Sequence, residues 1–366
     1  MTFSSNFIRT RQFAYFCLFL LFAGFAQFIA FQAGYRLLEK YAPDWSFIGL
    51  FRLGVGVLAA FFLVAALRPF SQSRSVQGDL PAWLIATFWL ASFLLLYGAM
   101  YAVIYWPDTL AGHVREGGFL SVFTEVLFVL ALVFLAVAAR RARHISAERL
   151  LGLSPSLVIL AIAAVAFVVL GEEASWGQHW IGWSTPELFE GNVQNETNLH
   201  NFYTYRFEMA YYSVAVLAFI VLPYGWPAEP PRFLRGASLF VPPPMFAIML
   251  LPVCGFMFYN WNYVFFGIWF FTAVLIALDI ARRAGKTELV AATLVMAAML
   301  VLSQLVFLAR GHTLGWGHEL TEVREFAIAL GVLGYAVTLW SRVASLSKRA
   351  ARADIGHAVP KAVHQA

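Results

Sequence analysis

An all-α, polytopic transmembrane helical bundle is the fold class the sequence predicts, and three observations predict it. Of 366 residues, 61% are hydrophobic and 12% charged, with a mean hydropathy of +0.72; soluble domains of this size lie far from that composition. The apolar residues fall in continuous runs of about 20, the length of a membrane-crossing helix and about twice that of a barrel strand. Basic residues are dense in alternate connections, as topology requires.

Ten spans are expected, at 13–35, 46–67, 82–105, 119–139, 154–174, 203–224, 239–259, 262–281, 288–309 and 323–342. The first follows Arg9 and Arg11 but is too long for a signal-peptide core, so it reads as an uncleaved span. The second carries Arg52 and the fourth Glu125, each near the end with fewer bases. Ser154-Pro155 opens the fifth as an N-cap followed by proline at the first helical position. Asn198 is placed to cap the sixth. Pro242, Pro243 and Pro244 shorten the seventh, and residues 259–262 must make a very tight turn into the eighth.

Of the 25 Lys and Arg residues, 18 fall on one side and six on the other, with Arg52 inside a span. That split predicts both termini in the cytoplasm. The chain then divides into one transmembrane domain, 1–342, with an extracytoplasmic loop at 172–202 carrying a short helix, and a basic cytoplasmic tail, 343–366. The net charge of +5 follows from this sidedness. It points to anionic lipid head groups at the cytoplasmic face and not to nucleic acid. Cys17 and Cys254 are expected at different depths, so no disulfide joins them.

Acids show the opposite bias, with 14 of 20 on the non-cytoplasmic side, Glu116 among them and Glu148 among the rest. They concentrate after the fifth span, where Glu172 and Glu173 open the string 171–179. Carboxylates at a bilayer edge are costly to place and mark a candidate site. If the helix continues, Glu172, Ser175 and His179 share one face, while Trp176, Trp180 and Trp183 form an interfacial anchor on the next. Such a Glu/Ser/His face could hold a metal or an acid–base pair. It could equally be structural, with Glu173 or Glu125 paired to Arg52.

Ser184, Thr185, Pro186 and Glu187 read as a short-helix start closed at Gly191. Asn192, Asn195, Asn198 and Asn201 recur every three residues and suit a stapled loop. Glu196 and His200 stand four apart, so His200 is either part of that loop or a ligand or base facing the carboxylates. Before the last span, His318 and Glu322 have the spacing of two metal ligands on one helical turn. Glu319, Glu322 and Glu325 also suit a helix N-terminus. Gly311, Gly315 and Gly317 would let that loop bend or pack closely. The sequence lacks a phosphate-binding Gly-Lys loop, a dinucleotide fingerprint, a Cys-x-x-Cys pair and a Gly-x-Ser-x-Gly elbow.

At these residues the chain resembles a group of bacterial inner-membrane proteins carrying Glu-Glu-x-Ser-Trp-Gly-Gln and then Asn-x-Gln-x-Glu-x-Asn-Leu-His-Asn, here at 172–178 and 192–201. That resemblance implies a bacterial inner-membrane location and brings no activity with it. Ser175 to His179 also resembles the Ser-x-x-x-His element of the alkaline ceramidase and adiponectin-receptor superfamily. Those zinc hydrolases have seven spans and a His-x-x-x-His pair in the last. This chain departs with ten expected spans and with His312 and His318 six apart. The resemblance implies zinc and amide hydrolysis.

The expectation is therefore an enzyme acting on a lipid or lipid-linked substrate by metal-assisted hydrolysis or transfer. Glu172, Glu173, Ser175, Glu125 and Arg52 would form the catalytic set, and His179, His200, His318 and Glu322 the metal ligands. A proton- or cation-coupled transporter of a small molecule and a non-catalytic scaffold are the alternatives, and no motif identifies a protein partner.

Overall fold

In a computed structural model the chain is helical, and it describes residues 2–36, 39–115, 117–143, 145, 149–192, 195–315 and 317–358. Among these, nine helices are long and apolar enough to cross a membrane, which makes this a multi-pass membrane protein. They are α1 (Thr2–Gln32), α2 (Phe47–Gln72), α3 (Ala82–Tyr105), α4 (Phe119–Ala142) and α5 (Pro155–Glu173). There follow α6 (Thr204–Gly225), α7 (Val264–Arg283), α8 (Thr287–Arg310) and α9 (Glu319–Ala358). Glu116, Glu148, Gln194, Trp316 and the tail beyond 358 lie outside the described residues. The basic tail expected from 343 continues α9 as helix as far as Ala358.

Local chemistry sets several boundaries. Ser46 Oγ accepts from Gly49 N–H to start α2, and Ser154 Oγ accepts from Leu157 N–H to start α5, with Pro155 at the first helical position. Just before Pro223, which has no N–H to give, α6 widens into a π-helical turn at Leu217–Val221. Pairs such as Tyr15 with Phe62 and Phe25 with Phe51 set α1 antiparallel to α2.

The seventh expected span is not a helix. Residues 241–259 form only a short helix, Met245–Met249, a 3₁₀ turn, Leu251–Cys254, and irregular backbone with Phe256 at φ +58°. The stretch still traverses the bundle. Met245 N–H donates to Val76 O beyond the far end of α2, and Tyr41 N–H donates to Tyr259 O before its start. Every residue from 241 to 258 is buried.

Irregular backbone at membrane depth is tolerated only where protein replaces water as its partner. Here side chains do so. Arg324 Nε donates to Gly255 O at 2.9 Å, and Gln304 closes a double bond on Met257, donating to its carbonyl at 2.6 Å and accepting from its N–H at 3.1 Å. Ser92 Oγ donates to Met249 O. At the crossing's beginning, Arg74 and Arg342 share the carbonyls of Leu239, Val241 and Pro242. The tight turn at its far end forms as expected, with Trp261 N–H to Phe258 O and Tyr263 N–H to Asn260 O.

With this traverse both described ends of the chain lie at one end of the bundle, since Arg342 pairs there with Asp79. We call that the basic end. The opposite, acidic end gathers the connections 33–46, 106–118, 174–203, 259–263 and 311–318. Cys17 and Cys254 are both free, exposed and buried respectively.

Candidate functional site

The helix does not continue past Glu173. Ser175 (φ +43°) and Trp176 (φ +55°) adopt left-handed backbone, followed by Gly177 (φ +88°) and a single helical turn, Gln178–Ile181. Two successive non-glycine residues in that region cost on the order of 1–2 kcal/mol each. Their side chains supply the compensation. Trp176 folds back over α5 and donates to Glu172 Oε1 at 3.0 Å. Gly171 permits this, because a Cβ there would meet the indole at 2.8 Å. Ser175, 1% exposed, donates to Glu196 Oε2 at 2.7 Å.

Glu172, Ser175 and His179 therefore share no helical face. Glu172 Oε2 accepts the N–H groups of Leu199 (2.7 Å) and His200 (3.1 Å), so it caps the turn His200–Phe202. His179 Nε2 lies 3.4 Å from Glu196 Oε1. Asn198 does not cap α6: its amide donates to Ser175 Oγ and to Glu196 Oε2. Asn192 spans the loop, accepting from Glu196 N–H and donating to its carbonyl. Gln178 ties Thr197 N–H and Thr185 Oγ1 into the same network. The expected short helix reduces to a 3₁₀ turn, Glu187–Phe189. The asparagine-rich stretch is thus a stapled loop built around a buried glutamate.

Beneath this loop lies a cavity of about 880 Å³ at the acidic end. Leu120, Ser121, Thr124 and Glu125 of α4 form one wall, with Glu173 at the end of α5. Tyr205, Phe207 and Glu208 of α6 form another, and Thr321, Glu322 and Glu325 of α9 a third. His200, Asn198 and Glu196 come from the loop, His318 from the turn before α9. Trp180 Nε1 donates to Glu125 Oε2 at 2.7 Å, and Tyr212 Oη to Glu325 Oε1 at 2.7 Å. Among the described residues no hydrogen-bond donor reaches Glu173.

Glu208 and Lys40 form the buried ion pair of the site, 2.8 Å apart. The same ammonium lies 3.2 Å from His318 Nδ1. Burial, then the Lys40 charge, pushes the pKa of His318 below its ordinary value. Burial lowers that of His200 as well, against the pull of Glu172. Both imidazoles are therefore biased neutral.

Of the expected site residues, Glu125, Glu173, His200, His318 and Glu322 line one cavity, while Glu172 and Ser175 do not line it and instead hold His200 and Glu196 of the loop. Arg52 belongs elsewhere. Its guanidinium donates to Asn262 Oδ1 at 2.6 Å and stacks on Tyr35 at 4.7 Å, in a separate small cleft between α2 and α7. It pairs with neither Glu125 nor Glu173.

The expected zinc ligands do not assemble either. His179 faces Glu196, His200 faces Glu172, and an ammonium occupies the Nδ1 side of His318. Among the described residues no group of three His, Cys, Asp or Glu side chains is arranged to hold a metal. The donor set does not fit zinc. Lys40, Glu208 and Tyr212 were not singled out from sequence, and Glu325 only as an acid suited to a helix N-terminus. Glu208 and Glu325 lie inside their apolar runs, the same signal that marked Glu125.

No family model, curated protein or solved structure matches the chain.

Proposed function

We propose that this is a bacterial inner-membrane protein with ten traverses and both termini in the cytoplasm. On this reading the acidic end faces the periplasm, where the cavity takes the polar part of a lipid or lipid-linked substrate for acid–base hydrolysis or transfer. The orientation rests on the uneven distribution of Lys and Arg. The site reading rests on one observation: Glu125, Glu173 and Glu325, from three helices, line one cavity of about 880 Å³. That volume suits a substrate-sized group.

Neighbouring carboxyl groups divide into a protonated acid and an ionised base. In a hydrolysis the ionised group takes a proton from water as the oxygen attacks, and the protonated group returns one to the leaving oxygen. In a transfer an acceptor hydroxyl replaces the water. Glu173, which no donor among the described residues reaches, is the group assigned to exchange the proton. Trp180 and Tyr212 orient Glu125 and Glu325.

Lipid profiles of a deletion strain test the reading. Complementation with wild-type protein is expected to clear an accumulated lipid species. Glu173→Gln, inserted at equal level, is expected to leave it. Profiles unchanged by the deletion would overturn the proposal.

Coupled transport is favoured by one feature, the broken crossing, since discontinuous segments line ion sites in many transporters. Here Arg324, Gln304 and Ser92 occupy carbonyls that an ion would use. Substrate flux into proteoliposomes would reverse the preference.

A further inference from the structure

Charge in the cavity is layered. Seven of the lining residues are glutamates and two are arginines. The arginines sit outermost: the Arg36 side chain is 79% exposed and paired with Glu39, and Arg206 is exposed and stacked over Tyr203. Glu39 shares the mouth with Arg36, the other glutamates lie deeper, and the neutralisation of Glu173 and Glu208 is incomplete. Lys40 satisfies only one oxygen of Glu208, whose side chain is 6% exposed and whose Oε2 has no donor. No protein donor among the described residues reaches Glu173. His200 and His318 are biased toward their neutral forms, because burial disfavours protonation of both.

Around Glu173 and the open oxygen of Glu208, Lys40 and Arg324 are the nearby cations and neither reaches these oxygens, so a ligand bringing charge and N–H donors completes the enclosure. A primary ammonium does so with three donors and one charge. A phosphate placed among the carboxylates would be repelled, whereas at the mouth it meets two guanidiniums, the planar forks that suit it.

Resting on the reading of a lipid headgroup site, we propose that the headgroup is a zwitterion carrying a primary ammonium and a phosphate. The ammonium lies among Glu173, Glu208 and Glu325, and the phosphate lies toward Arg36 and Arg206. The acyl part remains in the bilayer beside the cavity.

The test uses the full-length protein in nanodiscs and native mass spectrometry of retained lipid. Phosphatidylethanolamine and phosphatidylglycerol with identical chains are the two probes, and free phosphoethanolamine is the competitor. Wild-type protein is expected to retain the amine lipid at least tenfold more tightly. Glu173→Gln should lose most of that preference, and Arg206→Gln should weaken retention of both lipids. Displacement by free phosphoethanolamine supports recognition of the headgroup itself. Equal retention of the two lipids, or full preference in folded Glu173→Gln, overturns the ammonium assignment and leaves a lipid site standing. If neither lipid is retained and the soluble headgroup does not bind, the lipid reading falls as well. Should Glu173→Gln fail to fold, wild-type selectivity and competition decide.

Discussion

The broken crossing at 241–259 and the cavity under the 174–203 loop both put polar groups where a bilayer offers none, and they resolve that cost in opposite ways. In the crossing, backbone groups are matched one by one: Gly255 O with Arg324, both groups of Met257 with Gln304, Met249 O with Ser92. The result is closely filled, with residues 245–249 wholly buried. In the cavity Glu173 and one oxygen of Glu208 meet no donor among the described residues, and space is left open beside them. Matched polarity holds a fold together, because an unmet buried group costs more than a met one gains. Unmatched polarity around open volume leaves binding energy for something else.

Removing side chains from the two regions should therefore have unequal effects on stability. Arg324→Leu strips the carbonyl of Gly255 of its charged donor and removes stacking on Tyr212 and Phe266. We expect a loss of about 3 kcal/mol, read as a lower unfolding midpoint in detergent; an unchanged midpoint would break the comparison. Gln304→Leu leaves both groups of Met257 unmet and should cost about 2 kcal/mol. Glu172→Gln weakens the cap on Leu199 and His200 by about 1 kcal/mol. Hydrogen exchange across 195–203 should accelerate while exchange in the crossing does not.

A smaller effect is expected from pH. The folded His318 resists protonation, through burial and Lys40, whereas the unfolded residue binds a proton near its ordinary pKa of 6.5. The unfolded state thus holds more protons below that value, so stability is full above it and falls as pH drops through it. His318→Gln should flatten the decline between pH 7.5 and 5.5, and an identical slope would remove His318 as its source. Least affected is Glu173→Gln, whose midpoint should stay put or rise while lipid complementation is lost. A clear drop would mean that Glu173 is matched after all.

The nine membrane-length helices among the described residues were legible because lipid-facing helices need only length and apolarity, and those are written locally. The non-helical backbone of the seventh expected span was not, since 239–259 is as apolar as its neighbours and its irregularity depends on partners far along the chain. Pro242, Pro243, Pro244, Pro252 and Gly255 carried the warning, and read singly they only shorten a helix. At the site, charge near the ends of apolar runs pointed to Glu125 and Glu173, which line one cavity, and to Glu172, which caps the loop beside it. Depth says nothing of direction around the bundle, so Arg52 was assigned to the wrong neighbours. The supposed face of Glu172, Ser175 and His179 failed at a left-handed turn that glycine would normally announce, here made by serine and tryptophan.

The matching in the crossing also orders events during synthesis. Gly255 and Met257 emerge 69 and 47 residues before Arg324 and Gln304, the side chains that satisfy them. Until α8 and α9 arrive, the stretch has no stable place in hydrocarbon as an independent unit. Its entry is thus a late assembly step, and truncation before Gln304 should leave this segment exposed to membrane quality-control proteases while α1 to α6 are already inserted.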